Sequence, residues 1–212
     1  MVVFGHMAQR KHLFEIGEYY HIYNRGVDKR DIFIDQYDLK RFIQSLIEFN
    51  QIDTIGSIYE NSFRKSKLGS PSSKLVSIIT YCINPNHFHL LVTPLVDKGV
   101  EKLMLRLGGY TKYFNEKHER SGSLFQGKFK SKHVTDNRYL LHLSAYINMN
   151  NRNKLGDPIF KLSCSSLEEY TENFSKICDP KIILEQFVGD GYLKFAKESW
   201  EDTLKRKEYL DI

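Results

Sequence analysis

The chain has 212 residues, of which 41% are hydrophobic and 27% charged, a composition that excludes disorder along the whole length and fits a globular protein with its own core. A formal net charge of +5 permits an anionic partner without demanding one. Cys82, Cys164 and Cys178 form neither an even framework nor a CxxC pair, which argues against a disulfide scaffold or a cysteine-built zinc site and for a reducing cytoplasm, and no apolar run approaches the roughly 20 residues of a bilayer span.

Charge is unevenly placed. Residues 1–155 hold 23 Lys and Arg against 14 Asp and Glu, whereas residues 156–212 hold 8 against 12. The chain therefore divides into an N-terminal segment (1–17), a basic body (18–155) and an acidic, mostly helical C-terminal extension (156–212). In the body, Tyr19 to Tyr23 has strand composition and ends at Asn24-Arg25-Gly26. A helix is predicted from Asp35 as its N-cap, because Leu39, Phe42, Ile43, Leu46 and Ile47 form one apolar stripe. Asn61 to Lys74, rich in Ser, Lys and Gly, reads as an exposed loop. Beyond it, Leu75 to Ile83 and His87 to Thr93 flank the turn signal Asn84-Pro85-Asn86, which predicts a β-hairpin. A helix follows from Gly99 to Lys117, weakened at Gly108-Gly109. Leu124 to Val134 reads as a strand with Gln126, Lys128, Lys130 and Lys132 on one face and Phe125 and Phe129 on the other. Helices are expected at Asn137 to Asn150, Lys181 to Val188 and Tyr192 to Lys207. This order predicts an α+β fold, a central antiparallel sheet with helices on one side and a C-terminal helical extension.

The chemistry centres on His87-Phe88-His89. Strand side chains alternate, so the two imidazoles project together while Phe88 points to the other face. Two nitrogens converging on one point can share a metal, although a histidine pair in a strand is as readily a half-buried polar pair. A histidine-triad reading needs a third histidine where Leu91 stands, and zinc-hydrolase or cupin readings need a further ligand at a characteristic spacing that is missing. The helix over 137–150 carries Tyr139, Leu143, Tyr146 and Asn150 on one stripe. If that stripe faces the histidines, Asn150 can offer an amide oxygen and Tyr146 can act as a nucleophile, with activation, because a phenol has a pKa near ~10.

Tyr20 to Gly26, Tyr81 to Val92, Gly122 to Ser131 and Tyr146 to Asn150 occur in an order and spacing that resembles the single-tyrosine HUH transposases, most closely the REP-associated tyrosine transposases of bacteria. The resemblance spans about residues 18–170. It implies a ferredoxin-like or RRM-like HUH fold. It also implies a magnesium or manganese ion held by His87, His89 and Asn150, and Tyr146 attacking single-stranded DNA beside a hairpin to leave a 5′-phosphotyrosine and a free 3′ hydroxyl. Members usually continue with Pro-Val-x-Ala after the amide residue, where this chain has Asn151-Arg152-Asn153-Lys154. Asn151 is thus a second candidate for the third ligand. The REP-associated relatives imply a monomer, the insertion-sequence relatives a dimer.

A DNA surface is expected from the lysine row Lys128, Lys130 and Lys132 together with Asn24, Arg25, Lys29, Arg30, Gln126 and Arg152, with Tyr23, Phe33 or Tyr113 as base platforms. The acidic extension either covers the sheet or competes with DNA for the basic body. An enzyme with no small-molecule cofactor is the leading reading. A hairpin-DNA-binding protein of the same fold without turnover is the alternative.

Overall fold

A computed structural model describes residues 13–53, 56, 58, 74–152, 159–172 and 177–210 of the chain. Most of the 61–74 loop, residues 1–12 of the N-terminal segment and the boundary at 155/156 lie outside the described residues.

The predicted hairpin organises the fold. Strand β2 (Val76–Asn84) and strand β3 (His87–Pro94) are joined by the two residues Pro85 and Asn86. β1 (Tyr19–Arg25) pairs antiparallel with the far side of β3. β4 (Lys130–Val134) lies outside β1, and the two-residue β5 (Cys164–Ser165) lies outside β2. The result is one five-stranded antiparallel sheet in the order β4-β1-β3-β2-β5.

Helices cover both faces of this sheet, because β2 and β3 are apolar on both sides and need two covers. On the Phe88 face lie α1 (Gln36–Glu48), α2 (Gly99–Leu107) and α3 (Tyr110–Lys117). Phe42 of α1 meets Phe88 with ring centroids 5.3 Å apart and Tyr110 of α3 at 5.2 Å. α2 and α3 together replace the single helix expected from Gly99 to Lys117. The split falls at Gly108-Gly109, both right-handed in backbone, so the chain bends without reversing. On the histidine face lies α4 (Asn137–Met149), started by Asp136, whose side chain accepts from the Tyr139 N–H at 2.8 Å.

The basic strand is shorter than expected. Only Lys130–Val134 pairs with β1, and residues 124–129 form a turn-rich segment held to the strand end by Gln126 N–H donating to the Arg25 carbonyl at 2.8 Å. Gly127, with φ +76, permits the bend that breaks the alternation.

The acidic extension is built into the core. After β5 come α5 (Leu167–Thr171), α6 (Lys181–Leu184) and α7 (Gly191–Leu210). α6 ends four residues short of the expected Val188, while α7 starts one residue before Tyr192. Tyr170, Ile183, Tyr192, Ala196 and Trp200 are buried with the residues of the sheet. α7 lies along α4.

Candidate active site

Strand register assembles the site. β3 pairs His87 with Arg25 on one side and Asn84 on the other, and His89 with Tyr23 and Cys82. On β4, Lys130 faces Tyr23 and Lys132 faces His21. Directly paired residues share a face, so all these side chains project toward α4 with the two histidines.

Each imidazole is held from behind. Asn86 Nδ2 donates to the Lys29 carbonyl at 3.1 Å, which turns its Oδ1 toward His87 Nδ1 at 2.6 Å. A carbonyl oxygen only accepts, so Nδ1 carries the proton and Nε2 of the neutral ring keeps its lone pair. His89 Nδ1 lies 2.9 Å from His21 Nε2. Burial, and after it the charge of Lys132, pulls His21 down to about 4, so that it is neutral at pH 7.

Tyr146 comes down onto this face from α4, with its ring centroid 5.9 Å from that of His89 and 6.0 Å from Trp200 of α7. One turn later Asn150 caps the helix, places its Oδ1 3.2 Å from His87 Nε2 and accepts from Asn84 Nδ2 at 2.9 Å. Burial raises the Tyr146 phenol above its ordinary value, against a hydrogen bond from Asn150 and the positive field of Arg25, which lower it. Asn151 turns away and donates to Ser163 Oγ at 3.3 Å. The geometry thus joins Asn150, and not Asn151, to the histidines.

Tyr23, Asn24, Arg25, Gln126 and Lys130 line a cavity of about 210 Å³ with His87 and His89. Lys132 lies on the same face, its ammonium 4.7 Å from the Tyr139 ring centre. Lys29 and Arg30 follow β1 beside the hairpin turn. Gly26 makes that corner possible, since a Cβ there would collide with the Arg30 carbonyl oxygen.

Four expected positions fall elsewhere, among them Tyr113, which lies on α3 against Tyr110. Lys128 leaves the lysine row with the end of the strand and borders an apolar groove on the Phe88 face. Arg152 lines a separate hollow with Met149, Leu167 and Lys197. Phe33 is wholly buried against Phe42 and Tyr110, so of the aromatic platforms Tyr23 is the one beside the histidines. Sequence reasoning missed His21 and Asn84. Both were legible in principle, since a two-residue turn pairs Asn84 with His87 and strand alternation puts His21 on the side of Tyr23 and Arg25.

Residues 56–150, a little under half of the chain, match the model of the family described as IS200-like transposases. That segment is similar to the IS200-like transposases. It carries His87, His89, Tyr146 and Asn150, while β1, with His21, Tyr23 and Arg25, precedes it and the extension follows it. Among solved structures, the chain is similar to a REP-associated tyrosine transposase bound to a REP hairpin. The TM-score is 0.48 at 14% identity, over 81% of this chain and 90% of that one. No curated protein matches the chain. No described helix is long and apolar enough to cross a membrane.

Proposed function

We propose that this transposase-like protein cleaves and rejoins single-stranded DNA beside a hairpin, with Tyr146 as the nucleophile. The observation that carries the reading is the convergence of Tyr146 on His89, and of Asn150 on His87, within one chain. A site complete in one chain supports action as a monomer.

The donor set fits a divalent cation. His87 Nε2 and Asn150 Oδ1 both present lone pairs, 3.2 Å apart, and share the Asn84 NH2 group as donor, two acceptors that a cation would equally satisfy. With Nδ1 of His89 donating to neutral His21, the Nε2 lone pair of His89 is a further donor. Bound by His87, His89 and Asn150, a magnesium or manganese ion would polarise a scissile phosphate and offset its charge.

The protein's own residues do the rest. Arg25 and Lys130 line the cavity beside the histidines and hold the phosphate backbone. Asn150 donates to the Tyr146 oxygen and favours its ionised form. The Tyr146 oxygen attacks phosphorus and forms a new O–P bond, the phenolic proton passes to solvent, and the bond to the 3′ oxygen breaks with that oxygen protonated. A second 3′ hydroxyl reverses the sequence, so the joint is made without water or a nucleotide cofactor.

The test is incubation with a labelled hairpin bearing a single-stranded flank, with and without manganese. A protein–DNA adduct is expected with manganese, and Tyr146→Phe reduces it to background while leaving DNA binding intact. An adduct that persists in that variant overturns the assignment. Binding with no adduct from the unaltered chain would instead mark a hairpin-binding protein without turnover.

A further inference from the structure

Asn84 is fully buried, is the cross-strand partner of His87, and belongs to none of the roles assigned above. Its Nδ2 lies 2.9 Å from Asn150 Oδ1 and 3.1 Å from His87 Nε2, which are themselves 3.2 Å apart. Three side-chain atoms from β2, β3 and the end of α4 thus form a nearly equilateral triangle. The Asn84 Oδ1, also buried, has no hydrogen-bond partner among the described residues.

The NH2 group of this amide sits between two acceptors. The proton on His87 Nδ1 is fixed by Asn86, so Nε2 accepts, and Asn150 Oδ1 can only accept. Placing an NH2 group between two lone pairs satisfies both, at the cost of stranding the Asn84 oxygen. A half-turn of the amide exchanges its two ends and brings a third acceptor to the same corner, a convergence that only a positive charge stabilises. The spacing suits that occupant. Ligands at neighbouring corners of an octahedron with metal–oxygen distances of about 2.0–2.1 Å stand about 3 Å apart. Among the described residues no three His, Cys, Asp or Glu side chains gather around one point, so a cation here depends on amide oxygens to complete its shell.

Building on the metal reading above, we propose that Asn84 is a further ligand of the divalent cation. By turning its amide, Asn84 gives Oδ1 to the ion alongside His87 and Asn150. The resulting set is formally neutral and mixes imidazole nitrogen, which suits transition metals, with amide oxygen, which suits magnesium and manganese.

Binding of manganese to the full chain without DNA, followed by the electron paramagnetic resonance of the free ion, tests this apart from catalysis. Asn84→Leu, similar in size and without polar atoms, weakens binding about 10-fold or more, the usual cost of losing a supporting group at a metal site. Asn84→Asp keeps or tightens binding, and manganese raises its melting temperature more than that of the unaltered chain. If Asn84 serves only as a hydrogen-bond donor, Asn84→Asp, which has no N–H to give, weakens binding as Asn84→Leu does, and the proposal is overturned. Equal binding by Asn84→Leu and the unaltered chain overturns it as well. Circular dichroism checks that each variant folds, and Asn84→Ala replaces a leucine variant that does not. No manganese binding by the unaltered chain removes the metal reading itself, and the ligand role of Asn84 with it.

Discussion

Tyr146 has to lose a proton to attack, and its surroundings pull in opposite directions. Burial holds the phenol protonated, while the Asn150 hydrogen bond and the Arg25 charge favour the phenolate. Because the folded-state value lies above 10.0, the attacking fraction at neutral pH is small and grows as pH rises. Removing a group that lowers this value moves the rate profile to higher pH. Arg25→Gln is therefore expected to slow adduct formation at neutral pH, at saturating DNA, by about 3- to 10-fold, with much of the loss recovered in alkali. Single-turnover rates measured from pH 6 to 10 check this. A uniform loss at every pH would place Arg25 in DNA binding alone. The roles of His87, His89 and Tyr146 were suggested by alternation and helical spacing together with the family resemblance. The faces of His21 and Asn84 were readable from strand alternation and the two-residue turn, but the contact of His21 with His89 depends on β1 lying alongside β3, and pairing between distant strands is not written in local periodicity.

The start of α1 shows the same limit on a larger element. Asp35 was legible as an N-cap and is one, accepting from the backbone N–H groups of Tyr37 and Asp38. Asp38 itself reads as a solvated helix charge, yet it is fully buried. Its carboxylate accepts from the Ile34 N–H at 2.9 Å, from Lys117 at 2.8 Å and from His118 at 2.9 Å. The last two residues stand at the end of α3, about 80 positions away, so no local pattern announces them. They clamp the N-terminus of α1 to the C-terminus of α3 over the Phe88 face. Burial alone would raise the Asp38 carboxyl, but the bonds from Lys117, the Ile34 N–H and His118 outweigh it and hold the group below the usual carboxylate value. A depressed acid stabilises the fold fully above its unfolded value, near ~3.9, and the contribution is lost as pH falls through the folded value. Asp38→Asn is expected to cost about 1.5–3 kcal/mol at pH 7, the usual worth of hydrogen bonds to a charged group, because Ile34 N–H, Lys117 and His118 lose a charged acceptor while Lys117 keeps Asp35 at 2.7 Å. Urea unfolding at pH 7 and pH 3 checks both parts, the difference between variant and unaltered chain shrinking at the lower pH.

Across the whole molecule, the mild net charge of +5 averages a basic body and an acidic extension that packs into the same core. Ser166 N–H donates to the Tyr81 carbonyl at 2.9 Å, Tyr81 donates through its hydroxyl to Glu169 at 2.9 Å, and Tyr170 donates to the Ile79 carbonyl at 2.9 Å. Farther on, Asn148 on the buried side of α4 donates to the Tyr192 hydroxyl at 2.8 Å, and Trp200 lies against Tyr146. Composition could divide the chain by charge but could not show that its acidic part supplies core aromatics, because covering a sheet and competing with DNA require the same acidic, amphipathic helices. The contacts weigh for covering. Removing residues 171–212 takes away Tyr192, Ala196 and Trp200 and exposes the polar groups of α4 that they satisfy. Loss of one buried tryptophan costs about 3–5 kcal/mol, and a domain of this kind has only about 5–15 kcal/mol in all. The truncated chain is therefore expected to be insoluble or unfolded, checked by expression yield and circular dichroism. A soluble truncated chain that binds DNA more tightly at low salt would show the opposite, that the extension rests on the body as an electrostatic competitor. The single change Trp200→Ala separates the two further, because it lowers stability by about 3 kcal/mol or more while leaving every acidic residue of the extension in place, so that covering predicts a fall in melting temperature with the salt dependence of DNA binding unchanged.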